Sequence, residues 1–207
     1  MMNLLSETIT RIADLGGPVV LILIAVSIMA TAVILFKLWQ FFSARVGQHR
    51  ALKEAVEAWD RGEVEVAKTH LQRSRSYLRA VLDQAMSGQT DSARLEAEAE
   101  TRFARLESGF RFLDSVAQMA PLLGLFGTVL GMISAFQALQ SAGSQVDPTV
   151  LAGGIWVALL TTAVGLAVAM PTALILSWLE TRMEKERVFA ERAVHTILSP
   201  TRTQADA

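Results

Sequence analysis

The chain has 207 residues, of which 52% are apolar and only 19% charged, with a mean hydropathy of +0.37. Globular domains carry about a quarter of their residues as charges, so an ordinary soluble domain is excluded. A formal net charge of −1 excludes the broad cationic surface that nucleic-acid binding requires, and the lack of cysteine excludes disulfides, thiolate metal sites and a cysteine nucleophile.

The missing charges are missing in blocks. Residues 15–36, 115–146 and 148–179 contain no Asp, Glu, Lys, Arg or His, and each run exceeds the roughly 20 residues a helix needs to cross a bilayer. The expectation is an all-α integral membrane protein with three transmembrane helices. In chain order these are 18–40, 113–139 and 151–179. The first run is not expected to be a cleaved signal peptide, although Ala30, Thr31 and Ala32 have suitable small spacing. Glu7, Arg11 and Asp14 deny it a basic start, and the apolar run continues to Phe36.

Orientation follows from the cations, because positive loops stay cytoplasmic. Residues 1–17 hold only Arg11. Lys37, Arg45, Arg50 and Lys53 follow the first span, Arg102, Arg105 and Arg111 precede the second, and Arg182, Lys185, Arg187 and Arg192 follow the third. The segments 41–112 and 180–207 are therefore expected in the cytoplasm. The N-terminal segment 1–17 and the loop 140–150, which has Asp147 and no Lys or Arg, are expected in the periplasm.

The insertion 41–112 reads as helical: Leu52, Ala55, Val56 and Trp59 recur at helical spacing, as do Leu78, Val81, Leu82 and Ala85. Residues 87–92 break the pattern. A further stripe, Leu95, Ala99, Phe103, Leu106, Phe110 and Leu113, runs into the second span and predicts one long helix, with Glu98–Arg102 and Glu107–Arg111 as i,i+4 pairs. The third span should likewise continue outward as a helix carrying Phe189, Ala193 and Ile197 until Pro200. Residues 201–207 read as a frayed terminus.

On a helical wheel at 100° per residue, Ala117, Ala120, Pro121, Gly124, Gly127, Thr128, Gly131, Ser134, Ala135 and Ala138 fall within an arc of roughly 140°. In the third span Gly154, Ala158, Thr161, Thr162, Gly165, Ala169, Thr172 and Ala173 fall within roughly 120°. Such faces serve close helix packing in lipid. Their threonines also offer a narrow polar path, although a membrane threonine ordinarily bonds the carbonyl one turn back. Pro121 and Pro171 are expected to kink their helices.

Residues 120–133, APLLGLFGTVLGMI, and 154–171, GIWVALLTTAVGLAVAMP, resemble the paired signature of the MotA/TolQ/ExbB proton-channel family. Length and three spans favour its ExbB/TolQ branch. The resemblance implies a subunit of the bacterial inner membrane. It implies a homo-oligomeric ring, usually a pentamer, around single-span partners of the ExbD/TolR type that carry an intramembrane Asp, with motion passed to a TonB- or TolA-type protein. By the same resemblance Thr128 and Thr162 face that Asp, while Pro121, Gly124, Gly127, Gly131, Gly154, Gly165 and Pro171 serve packing and kinks. Many chains of the branch carry Glu where this one has Val157.

Independently of the resemblance, residues 115–146 and 148–179 of the second and third spans hold no titratable group, so this chain cannot relay a proton alone. Intramembrane ionisable residues are the usual carriers, so either a carboxylate from another polypeptide or a pore that conducts through water is required. No enzymatic role, cofactor or metal is expected. His49, His70 and His195 lack a ligand spacing, and the glycine-rich stretch 124–131 lacks a phosphate-loop lysine and lies at bilayer depth. Two alternatives stand beside an ExbB-like energiser of TonB-type transport: a TolQ-like subunit of a Tol-Pal system, and a non-energised membrane scaffold.

Overall fold

The computed structural model describes residues 2–88, 91–142 and 148–201, and these are helical with no strand among them. The helices are α1 (Met2–Ser43), α2 (Arg50–Asp60), α3 (Val64–Arg73), α4 (Arg79–Met86), α5 (Ser92–Glu107), α6 (Phe110–Ala142) and α7 (Pro148–Leu198). The expected break at 87–92 separates α4 from α5, and α7 stops before Pro200. Residues 143–147 of the expected external loop and 202–207 of the expected frayed terminus lie outside the described residues.

Three stretches are long and apolar enough to cross a membrane: Gly17–Ser43, Phe110–Ser141 and Leu151–Leu198. The 51 residues of α7 span about 77 Å at 1.5 Å each, more than twice a hydrocarbon core of roughly 30 Å. The expectation that the third helix continues beyond the membrane therefore holds. Within α1, Gly17 adopts φ 65, ψ −174 and separates two helical stretches. That backbone region suits glycine, and Pro18 then occupies the first turn of the second stretch, where its missing N–H costs nothing.

Two compact units can be distinguished. The first comprises residues 1–35 and 109–176. Its core joins Val19 and Leu23 of α1, Ala120 of α6 and Ala169 of α7, flanked by Leu123, Val164 and Val168. Only 22–28% of the most apolar stretch of each span is buried. Leu125, Phe126, Trp156, Leu159 and Leu174 all point outward, a surface suited to lipid or other membrane helices and not to water.

The second unit comprises residues 36–108 and 177–207. Here α2 packs on α3, α3 on α4 and α4 on α5, around buried Leu52, Leu78, Leu82, Leu95, Met183 and Val194. The Trp59 indole N–H donates to the Ile197 carbonyl at 3.1 Å, which ties α2 to the end of α7.

The stripe from Leu95 to Leu113 is buried at each of its six positions, but it is carried by two helices and not one. Ser108 and Gly109 interrupt it, with Gly109 at φ 92, in the left-handed region that a helix cannot use. The expected Glu107–Arg111 pair loses its basis, because i,i+4 geometry requires one uninterrupted helix. Glu107 instead pairs with Arg187 at 2.7 Å. Glu98 and Arg102, both on α5, do pair, at 2.8 Å.

Candidate functional site

The small faces of α6 and α7 pack against each other within one chain. A methyl group added at Gly124 would lie 2.9 Å from the Thr161 carbonyl and 3.0 Å from the Thr162 Cα, and one at Gly165 would lie 2.6 Å from the Ala120 carbonyl. Gly127 meets the Thr161 side chain, Gly131 meets Ala158 and Gly154 meets Ala135 in the same way. Gly124 and Gly165 face backbone, and Gly127 and Gly154 face side chains of the opposite helix, so close helix approach and not turn geometry accounts for them. Both helices continue through their prolines, so Pro121 and Pro171 remove an amide donor without ending a helix.

The threonines divide by burial. Thr161 is only 1% exposed, and its hydroxyl sits 2.7 Å from the Ala158 carbonyl and 3.2 Å from the Gly124 carbonyl. Thr162 is half-buried and donates to the same Gly124 carbonyl at 3.3 Å. One carbonyl on α6 thus gathers two adjacent hydroxyls from α7. Thr128 is also half-buried and donates to the Leu125 carbonyl of its own helix at 2.6 Å. Of the two threonines expected to face a partner, both retain an open side. Thr161, which the sequence alone placed on one face with Thr162, belongs to the packed seam. Pro171 and Ser134 are exposed.

Beside this seam is a cavity of about 190 Å³, lined by Ser134 and Gly127 of α6, Val157 and Thr161 of α7 and Pro18 of α1, among others. None of its lining residues titrates. Val157 contributes an apolar wall.

The second unit contains a buried polar cluster that sequence spacing did not reveal. Glu186, 2% exposed, accepts the Tyr77 hydroxyl at 2.6 Å and lies 2.5 Å from His49 Nε2. The other His49 nitrogen is 3.2 Å from Ser76 Oγ, and the imidazole stacks on Phe189 at 4.7 Å. Four residues from three chain segments satisfy one another, as buried polar groups must. Burial, and then the bond to Glu186, push the Tyr77 hydroxyl well above the ordinary tyrosine range. No sequence signal marks this cluster, since its hydrogen-bonded partners are 27 to 137 residues apart.

Lys37 is equally hidden. It is 1% exposed, and its ammonium donates to Gln40 Oε1 at 2.7 Å, the Leu106 carbonyl at 3.1 Å and Ser108 Oγ at 3.2 Å. Among the described residues it has no carboxylate partner. The last carbonyls of a helix lack intrahelical donors and carry partial negative charge, so Lys37 caps α5 at the point where Gly109 stops it.

The sequence pattern of the MotA/TolQ/ExbB proton channel family matches residues 58–191. The biopolymer transport protein ExbB-like 1 of Synechocystis is 33% identical over 162 residues, which cover 75% of this chain and 64% of that protein. Biopolymer transport protein exbB1 of Vibrio cholerae is 40% identical over 85 residues, 39% of this chain and 37% of that one. The Tol-Pal system protein TolQ of Haemophilus influenzae is 42% identical over 78 residues, 38% and 34% respectively. The chain spans less than two thirds of the length of each of these relatives. With three membrane-length apolar helices and the family pattern extending from α2 into the tail of α7, the chain is a membrane protein that belongs to the MotA/TolQ/ExbB proton channel family.

Proposed function

We propose that the chain is the ring-forming subunit of a proton-motive-force-driven motor in the bacterial inner membrane, energising TonB-type transport in the manner of an ExbB protein. In this reading several copies, five as in the resembled family, surround a single-span partner of the ExbD/TolR type. Its intramembrane Asp carries the proton, and its motion is passed to a TonB-type protein. The N-terminus lies in the periplasm, and the second unit lies in the cytoplasm.

One observation carries this reading: α6 and α7 present half-buried hydroxyls at Thr128 and Thr162 and no carboxylate beside them. A hydroxyl has one donor and two acceptor lone pairs. With its proton on a backbone carbonyl it accepts from a neutral carboxyl, and after rotation it donates to an ionised one. Such a wall tolerates both states of a moving Asp without holding either. Each charge crossing 100 mV releases roughly 2.3 kcal/mol, several times thermal energy, which is enough to bias motion past it.

The test is proton uptake into vesicles containing the chain alone, the chain with an Asp-bearing single-span partner, and the chain with that partner's Asp changed to Asn. Uptake is expected only in the second preparation. Uptake by the chain alone would overturn the need for a partner carboxylate, and silence in all three would leave a membrane scaffold.

The likeness to TolQ supports a second reading, a Tol-type subunit working with a TolA-type protein. Purification of the intact complex separates the two readings by which periplasmic-facing client accompanies it.

A further inference from the structure

The second unit carries a groove of about 340 Å³ between α2 and the tail of α7, with four cations in its lining: Lys53, Arg182, Lys185 and Arg192. Among the described residues, the side chains of Lys53, Lys185 and Arg192 make neither an ion pair nor a hydrogen bond. Arg182 makes one bond, to the Val46 carbonyl at 3.3 Å. Elsewhere in this unit cations find carboxylates readily, as Arg50 does with Glu54, Arg61 with Glu63, Arg102 with Glu98 and Arg187 with Glu100 and Glu107. The one acid lining the groove, Glu186, is turned into the core, where Tyr77 and His49 occupy it. Four positive charges therefore line one groove, and among the described residues none of them is paired with a carboxylate.

The groove also has a definite place along the chain. Arg182 follows Trp178 by four residues, about 6 Å along a helix, and the α2 side of the groove begins just after α1 ends. Trp39, Phe42 and Trp178 are 66%, 83% and 54% exposed. Exposed aromatic rings at the ends of apolar spans mark the headgroup level of a bilayer, and basic pockets just beyond that level bind anionic headgroups.

We propose that this groove binds the phosphate-bearing headgroup of an anionic phospholipid. Arg182 supplies the planar, two-pronged donor that suits phosphate, Lys53 and Lys185 supply mobile ammonium groups, and Phe189 and Val188 give the groove an apolar wall for the glycerol portion. The site is separate from the α6/α7 seam and does not depend on whether the chain conducts protons.

The experiment uses the full chain in a neutral detergent, with thermal unfolding followed by circular dichroism. Short-chain phosphatidylglycerol at saturation should raise the midpoint by about 5 °C or more relative to short-chain phosphatidylcholine. The triple variant K53Q/K185Q/R192Q should lose most of that difference while keeping its midpoint in phosphatidylcholine. Because the triple variant tests folding as well, K185Q alone is examined by native mass spectrometry, where it should retain fewer phosphatidylglycerol molecules per chain than the wild type. Equal midpoints in the two lipids, or an undiminished effect in the variants, would overturn the proposal. Inorganic phosphate reproducing the full shift would make this a free-anion site and not a lipid site. A change of oligomeric mass in K185Q independent of added lipid would instead assign the groove to contact between copies.

Discussion

The carbonyl of Gly124 lies 3.2 Å from the hydroxyl of Thr161, a bond from α7 to α6 in a seam with no room for a side chain at position 124. Thr162 reaches the same carbonyl from one residue further along, but keeps part of its surface open. Adjacent threonines on one helix thus have different work, and that difference yields the first prediction.

Changing Thr128 or Thr162 to Val keeps shape and deletes the hydroxyl. Assembly with the Asp-bearing partner should survive, while gradient-driven work falls by about one to two decades, most of all in the double variant. That range follows from losing roughly 1.5–3 kcal/mol of bonding to a charged group at the barrier. Thr161→Val should instead lower unfolding stability by about 0.5–1.5 kcal/mol, the usual net worth of one hydrogen bond, and leave turnover per assembled complex near wild type. Full activity in all the Thr128 and Thr162 variants would reduce both faces to packing.

Glycine requirements in the third span should follow contact distance and not the residue type alone. Gly165→Ala places a methyl 2.6 Å from the Ala120 carbonyl, whereas Gly153 has nothing within 4 Å of its added methyl. The first should cost about 1–3 kcal/mol by overpacking. The second should be neutral, or gain up to about 1 kcal/mol from helix propensity. Unfolding in a denaturing detergent series measures both, and equal responses would contradict the seam.

Lys37 makes a local prediction. In Lys37→Met, α5 loses its cap at Leu106 and Ser108, so backbone amides near residues 103–107 should exchange with solvent faster. Global stability need not fall, since removing a buried charge relieves its desolvation. Hydrogen exchange resolved to that segment distinguishes the two effects, and unchanged protection there would show that the ammonium does not hold the helix end.

Tyr77 is the sole tyrosine of the chain, so phenolate absorbance reports it directly. Its folded-state value is raised by burial and by Glu186, which means that the neutral form is the one the fold stabilises. That contribution is complete below an unfolded tyrosine's value of about 10 and is lost as pH climbs toward the folded value. In base, the phenolate signal should therefore appear together with the loss of helical signal. Ionisation near pH ~10 with the fold intact would contradict the burial.

Orientation is open to a thiol-labelling test. A cysteine at Ser141 should react with an impermeant reagent from the periplasm, and one at Arg75 should not. Arg75 serves better than the neighbouring Ser74, which is 5% exposed and would be shielded on either side of the membrane.

The amino-acid order alone determined the three spans, the helical insertion and the small faces, because each is a local pattern: a long uncharged run, or a 3.6-residue repeat. The stripe from Leu95 to Leu113 illustrates both the reach and the limit of such patterns. Periodicity identified all six buried positions, yet it runs unchanged through Ser108 and Gly109, where one positive φ divides the helix. The wheel likewise placed Thr161 and Thr162 on one face, but their different exposure depends on how closely α6 approaches. The His49, Ser76, Tyr77 and Glu186 cluster, the cap formed by Lys37, and the gathering of Lys53 with Arg182, Lys185 and Arg192 had no local signature at all. Their partners are separated by tens to more than a hundred residues, and hydrogen bonds and charges act over a few ångströms in space, whatever the distance along the chain. Only tertiary structure brings such groups within that range.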